Sequence, residues 1–182
     1  FSFVSEEELE ITGYLNLHLW VESETTDMDL FAAVYKEASD GRRLHHITLR
    51  GEGARDHVRS QERDGKLPAT LSYTGPLGRL RISHRQLDAA ASTPAEPVLT
   101  HAVEELVTPG DIVPVELSLW PTSLRLHPGE RLVVEIAGHP TGPIEANHLP
   151  GGWLQIPTRN EGLHRIHTGG RCDSHLLLPV TP

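Results

Sequence analysis

A chain of 182 residues with 37% hydrophobic and 23% charged residues has the length and composition of one folded domain, or at most two small ones, and is long enough to bury roughly 70% of its unfolded surface. No apolar run approaches the roughly 20 residues that cross a bilayer, which excludes a helical membrane span. A formal net charge of −9, with the 16 Lys and Arg mostly scattered, excludes the clustered basic footprint that grips nucleic-acid phosphates.

The opening FSFVSEEELE has neither the basic n-region nor the apolar core of a signal peptide, and reads as the start of a domain. From Leu9 to Val21 the chain alternates: Leu9, Ile11, Leu15, Leu17, Leu19 and Val21 share one face, and Glu10, Thr12, Tyr14, Asn16, His18 and Trp20 the other. A period of two is the mark of a half-buried strand. Gly13 falls on the apolar face and predicts a bend or bulge that divides the run into two strands. Asp29 to Tyr35 is apolar on both faces, which predicts a strand near the middle of a sheet, and Ser39-Asp40-Gly41 is a turn signal after it. Leu44 to Leu49 predicts a further strand.

Residues 51–78 are irregular and rich in Arg, Asp, Glu, Gly and Pro, the pattern of an extended loop or of a short helix within a long connection; the basic residues from Arg42 to Arg63 are interleaved with Glu52, Asp56 and Glu62, so that stretch reads as solvated. Alternation returns at Leu80, Ile82 and His84. From Val113 to Gly138 two alternating runs, Val113, Val115, Leu117, Leu119 and then Leu132, Val134, Ile136, flank a Trp-Pro break and the turn at Pro128-Gly129. These predict two strands with one face in a core. Residues 139–162 form an irregular arm, and the closing runs LHRIHTGG and SHLLLPV predict a terminal hairpin about Gly169-Gly170. With eight to ten strands, 16 Gly and 14 Pro and no convincing long helix, the expected architecture is an all-β sandwich or jelly roll.

Candidate chemistry is sparse. No G-x-S-x-G elbow occurs to expose a nucleophilic serine. His164 and His167 are three apart on a strand and should face opposite sides, as should His45 and His46; Cys172, Asp173 and His175 are the best local cluster but lack a second ligand pair, so no metal and no cofactor is expected. Asp27 and Asp29 carry the oxygens a Ca²⁺ ion would take, but aspartates at a strand start are expected to bind turn amides instead. Cys172 is the single cysteine, so no internal disulfide forms, which fits a reducing, cytoplasmic compartment. Trp20, Trp120 and Trp153 could stack on a sugar, as in a carbohydrate-binding module, or fill an interface with a missing partner; Trp20, Trp120, Arg131 and Trp153 are therefore the candidate interface residues.

Taken in order, LEITGYLNLHLWVES, TTDMDLFAAVYKEASDG, GRLRISHRQLD, TPGDIVPVELSLWPTSLRLHPGERLVVEIAG and HTGGRCDSHLLLPV resemble the C-terminal domain of the X-prolyl dipeptidyl-peptidase and cocaine-esterase group of serine hydrolases. The resemblance implies a jelly-roll β-sandwich of galactose-binding-domain-like fold spanning residues 1–182 as a single domain. It also implies an α/β-hydrolase domain upstream in the parent chain, against which the sandwich packs near the active-site entrance. The Ser, Asp and His of that group belong to the upstream domain, so no catalytic residue is expected in this chain. An oligomerisation surface is the remaining expectation for a partner.

Overall fold

The computed structural model describes residues 1–44, 46–47, 53, 56, 59–60, 63–64, 72–73, 75–141 and 157–181. Its strands are β1 (Ser2–Val4), β2 (Leu9–Ser23), β3 (Asp29–Glu37), β4 (Arg43–Leu44), β5 (His46–Ile47), β6 (Ser72–Tyr73), β7 (Leu77–Arg81), β8 (Ile112–Leu126), β9 (Arg131–Ala137), β10 (His164–His167), β11 (His175–Leu177) and β12 (Val180–Thr181). They form a β-sandwich of two antiparallel sheets, with β5 and β6 paired apart. In one sheet β9 lies between β1 and β3, and the far side of β3 is taken by β7 along one half and β4 along the other. In the second sheet β2 pairs with β8 on one side and with β10, β11 and β12 in succession on the other.

The alternation in β2 and β8 builds the layer between the sheets. Ile11, Leu15, Leu17, Leu19 and Val21 of β2 and Val115, Leu117, Leu119, Leu124 and Leu126 of β8 are buried there against Leu30, Ala32, Val34, Leu80 and Leu132 of the facing sheet, with Val134 and Ile136 packed at the margin. Full burial of each such aliphatic side chain contributes about 1.5–3 kcal/mol. The strands on either side of Pro128-Gly129 lie in opposite sheets, so this turn carries the chain across the core.

Three expectations are corrected. The bulge near Gly13 is present, but β2 runs through it as one strand of 15 residues. Gly13 opposes Thr122 while Leu15 opposes Leu119, so the extra residue belongs to β8, beside Trp120-Pro121. The alternation through Leu80, Ile82 and His84 ends at Arg81, where a 3₁₀ turn, Ile82–His84, begins. The Ile82 N–H donates to the Met28 carbonyl, and the Ser83 N–H and hydroxyl both donate to the Asp27 carboxylate, so the side-chain acceptor bends the backbone out of the ladder. Finally, β10 and β11 are not a hairpin. Both run antiparallel to β2 along the same edge, and the tight turn at Gly169-Gly170, closed by the Cys172 N–H on the Gly169 carbonyl, is an excursion within one interrupted strand. The expected strand at Leu44–Leu49 is represented by Arg43–Leu44 and His46–Ile47; most of 51–74 and of the arm at 139–162 lies outside the described residues.

On one side the sandwich is closed by β7 crossing β8. A Cβ on Gly78 would sit 2.4 Å from Leu117 Cδ2, 2.7 Å from Leu119 Cδ2 and 2.7 Å from the Ser118 carbonyl oxygen. Gly78→Ala is therefore expected to destabilise the fold by about 1–3 kcal/mol through overpacking, seen as a lower midpoint in urea unfolding; an unchanged midpoint would show that the two sheets part there without cost.

The crossing turn is held by Glu130. Its carboxylate accepts from the His127 N–H at 2.8 Å and pairs with Lys36 of β3 at 2.7 Å. Burial alone would raise its pKa, but the Lys36 hydrogen bond, the His127 amide and the nearby charges outweigh that and lower it. A depressed folded-state pKa gives stability that is complete above the ordinary glutamate range and is lost as the pH falls through the depressed value. Glu130→Gln is expected to cost about 1–2 kcal/mol at neutral pH and to flatten the acid limb of a stability–pH curve. An acid limb of unchanged slope would refute this account.

Candidate interface site

The outward face of the β2–β8 sheet carries most of the polar side chains that alternate with the core. At its centre the His18 Nδ1 lies 2.7 Å from Glu116 Oε1 and its Nε2 lies 3.7 Å from Asp173 Oδ1. The His175 ring stacks on His18 with centroids 5.1 Å apart. Asn16 is buried beside them and donates to Glu116 Oε2 at 2.7 Å and to the Pro94 carbonyl at 2.9 Å, which brings the 86–100 ribbon over this part of the face. Further along, His167 Nε2 and Arg165 Nη1 both engage Glu22, at 2.7 and 2.8 Å.

Trp20 belongs to this network. Its indole N–H donates to Asp173 Oδ1 at 2.9 Å and its backbone N–H to the Ser174 hydroxyl, which in turn donates to the His167 carbonyl. The indole donor, followed by a backbone hydrogen bond, holds the Asp173 carboxyl below its ordinary pKa. Removing the donor should reverse that shift. Trp20→Phe is expected to raise the Asp173 pKa toward the ordinary aspartate value in a carboxyl ¹³C NMR titration, and a downward or absent movement would contradict the assignment.

Trp120 is placed differently. It sits at the β8 bulge, 63% exposed, opposite Tyr14 at 43%, with Leu177 of β11 at 39% on the same outward face beside Asn16. Trp20 is paired with Pro114, six residues before Trp120 on β8, a separation of about 20 Å at strand rise. The two indoles therefore cannot stack on one sugar ring. Arg131 begins β9 and faces outward from the other sheet, half-buried and in register with Glu37 and Val4. Near it, burial and then Glu135 raise the Tyr35 phenol pKa, against the Arg43 guanidinium 3.7 Å over its ring, and Glu37 adds to the rise. The structure thus puts Trp20 and Trp120 at separate places on one face and Arg131 on the opposite face; Trp153 lies outside the described residues.

A cluster that the sequence reading reduced to turn contacts stands at the end of the sandwich. Asp27 is 4% exposed and accepts from the Met28 N–H, the Ser83 N–H and hydroxyl, and Arg159 Nη1. Asp29 takes Arg81 in a two-pronged pair at 2.9 and 3.0 Å and the Arg159 N–H at 2.6 Å, while the Asn160 side chain bridges the Asp29 N–H and carbonyl. The Asp29 hydrogen bond is the main reason the Arg81 pKa is raised, and Glu104 does the same for Arg159. Asp27 does bind turn amides, as expected. Its pairing with Arg159, 132 residues away, had no local signal in the sequence. Among the described residues no Ser or Thr hydroxyl hydrogen-bonds a histidine ring, no group of three metal-ligating side chains converges, and no helix is long and apolar enough to cross a membrane.

The described residues thus form a two-sheet β-sandwich whose polar side chains hold its own loops, with Trp120 and Tyr14 exposed on the face of one sheet. Residues 1–177 match the family described as the X-Pro dipeptidyl-peptidase C-terminal non-catalytic domain, and the chain belongs to it. Two crystal structures of a CocE/NonD family hydrolase from Staphylococcus aureus are similar to it, each at 30% identity and a TM-score of 0.81, covering 100% of this chain and 30% of that one. An α-amino acid ester hydrolase shares the fold at 15% identity and a TM-score of 0.57, over 100% of this chain and 25% of its own. The chain thus spans less than a third of the length of these hydrolases. A search of curated proteins finds no match.

Proposed function

We propose that this chain is the C-terminal sandwich of a serine hydrolase of the dipeptidyl-peptidase or acyl-esterase kind, that it packs on the α/β-hydrolase domain of its own parent chain, and that it shapes substrate access without supplying a catalytic group. The observation that carries the docking face is the Trp120–Tyr14–Leu177 patch, uncovered on a sheet face whose other half is engaged by its own network. Large amphipathic rings left open at the rim of a polar face are the usual content of an interface anchor. The occupant is argued from the length of the similar hydrolases, of which this sandwich corresponds to 30%.

The test compares the isolated chain with the parent hydrolase. Purified alone, the 182-residue chain is expected to turn over neither p-nitrophenyl esters nor X-Pro anilides. Trp120→Asp should leave the melting temperature of the isolated chain within a degree or two, because the side chain is exposed. In the parent protein the same substitution should expose the inter-domain junction to limited proteolysis and raise KM more than it lowers kcat. Turnover that tracks the pure chain would overturn the non-catalytic reading; a parent indifferent to Trp120→Asp would overturn the docking face.

A further inference from the structure

On the opposite side of the molecule, the outward face of the β3–β7 pair holds a cavity of about 280 Å³ at the foot of the 86–100 ribbon. It is walled by Phe31 of β3, Arg79 and Arg81 of β7, His84 of the 3₁₀ turn, and Leu99 and His101 on the returning chain. Phe31 and Arg79 are register partners, as are Asp29 and Arg81, so the four side chains stand on one face in two rows.

Two guanidinium groups two residues apart on one strand repel each other unless each has a counter-charge. Arg81 has one, the Asp29 carboxylate, whose oxygens are occupied by Arg81 and by the Arg159 N–H. Arg79 has none: it makes no hydrogen bond or ion pair among the described residues. Its five N–H donors stay in the fork geometry that fits a carboxylate.

The imidazoles add to this. His84 lines the cavity, and its Nδ1 is buried with no hydrogen-bond partner among the described residues. His101 brings a second ring to 6.2 Å from His84 by adopting φ 50°, the one described non-glycine residue with positive φ. That conformation costs of order 1 kcal/mol, and His is among the residues that adopt it more readily than most. Opposite these polar groups, Phe31 is only 5% exposed yet lies outside the main core, so it offers the cavity an apolar wall together with Leu99.

We propose that this cavity is a binding site for a small monocarboxylate: Arg79 pairs with the carboxylate, the His84 and His101 rings flank it, and Phe31 and Leu99 take a short apolar tail. Asp29 lines the same cavity, but it is neutralised by Arg81, so the net charge facing a ligand is that of Arg79. The volume admits a ligand of only about ten non-hydrogen atoms, near the lower limit of ordinary ligand sites. The carboxylate could belong to a free acid or to an Asp or Glu side chain of the parent protein.

Calorimetric titration of the isolated chain with isovalerate, and with neutral isovaleramide as the matched control, tests the site. Isovalerate is expected to bind at least tenfold more tightly than the amide. Arg79→Gln should abolish that preference and Arg79→Lys should restore part of it. Arg79 is exposed on its strand, so both variants keep the fold, which far-UV circular dichroism verifies. Repeating the titration on the parent hydrolase separates the sources: retained binding identifies a free acid, and binding lost there but regained when a facing Asp or Glu of the parent is changed to its amide identifies a side chain seated on Arg79, both in support of a carboxylate site. Equal affinity for acid and amide, no binding to the isolated chain, or a preference untouched by Arg79→Gln would overturn it.

Discussion

The whole second sheet hangs on the backbone of β2. Among the described residues it is the one strand there with partners on both sides, and β8, β10, β11 and β12 each pair with it and with no other described strand of that sheet. Its N–H and C=O groups therefore satisfy almost every ladder bond of the layer, and a buried ladder left unpaired costs about as much as the hydrogen bonds it loses. The same strand delivers Leu15, Leu17, Leu19 and Val21 inward and His18, Trp20 and Glu22 outward. A change in the register of β2 would exchange those faces together, so the core and the polar network are specified by one alignment.

The end of β2 leads into the second constraint. Asp27 lies in the link from β2 to β3 and Asp29 opens β3, and between them they collect donors from the 3₁₀ turn, from β7 and from the segment that returns at Arg159 and Asn160. Buried carboxylates are tolerated because each oxygen has charge-assisted partners; removing a partner would leave a desolvated charge. The carboxylates thus act as a staple joining parts of the chain that the sheets leave unconnected. Their occupied oxygens also explain why an aspartate pair with calcium-like spacing is used for turn and arm closure.

The sandwich, its core positions and the two strands flanking Pro128-Gly129 were legible because alternation reports burial directly: Leu117, Leu119 and Leu132 could be assigned to the inter-sheet layer from their parity alone. Partners were not legible. Nothing local distinguishes two strands that form a hairpin from two that line the same edge, as β10 and β11 do, since each is short and joined by a glycine turn either way. The same limit hid the Arg159 pairing with Asp27, and it made Trp20, Trp120 and Arg131 resemble one surface. Parity puts all three on outward faces, but only the pairing shows that β8 and β9 belong to different sheets.

The bulge in β8 ties these threads together. Between Leu119 and Leu124 the strand needs an extra residue for both leucines to face the core, and that residue is accommodated at Trp120-Pro121, where the ladder with β2 is irregular. Proline suits such a position because it has no N–H to leave unpaired. Further along, the Trp20 N–H points away from β8 toward Ser174, so the opposed Pro114 directs its missing donor toward the edge of β8 that has no strand partner among the described residues. With Pro114 on that edge and β7 crossing it closely at Gly78, β8 presents a poor template for strand addition. Alternation from Leu119 already turns Trp120 outward, and the bulge beside it returns Leu124 to the core, so the exposed indole stands at the irregularity on this face.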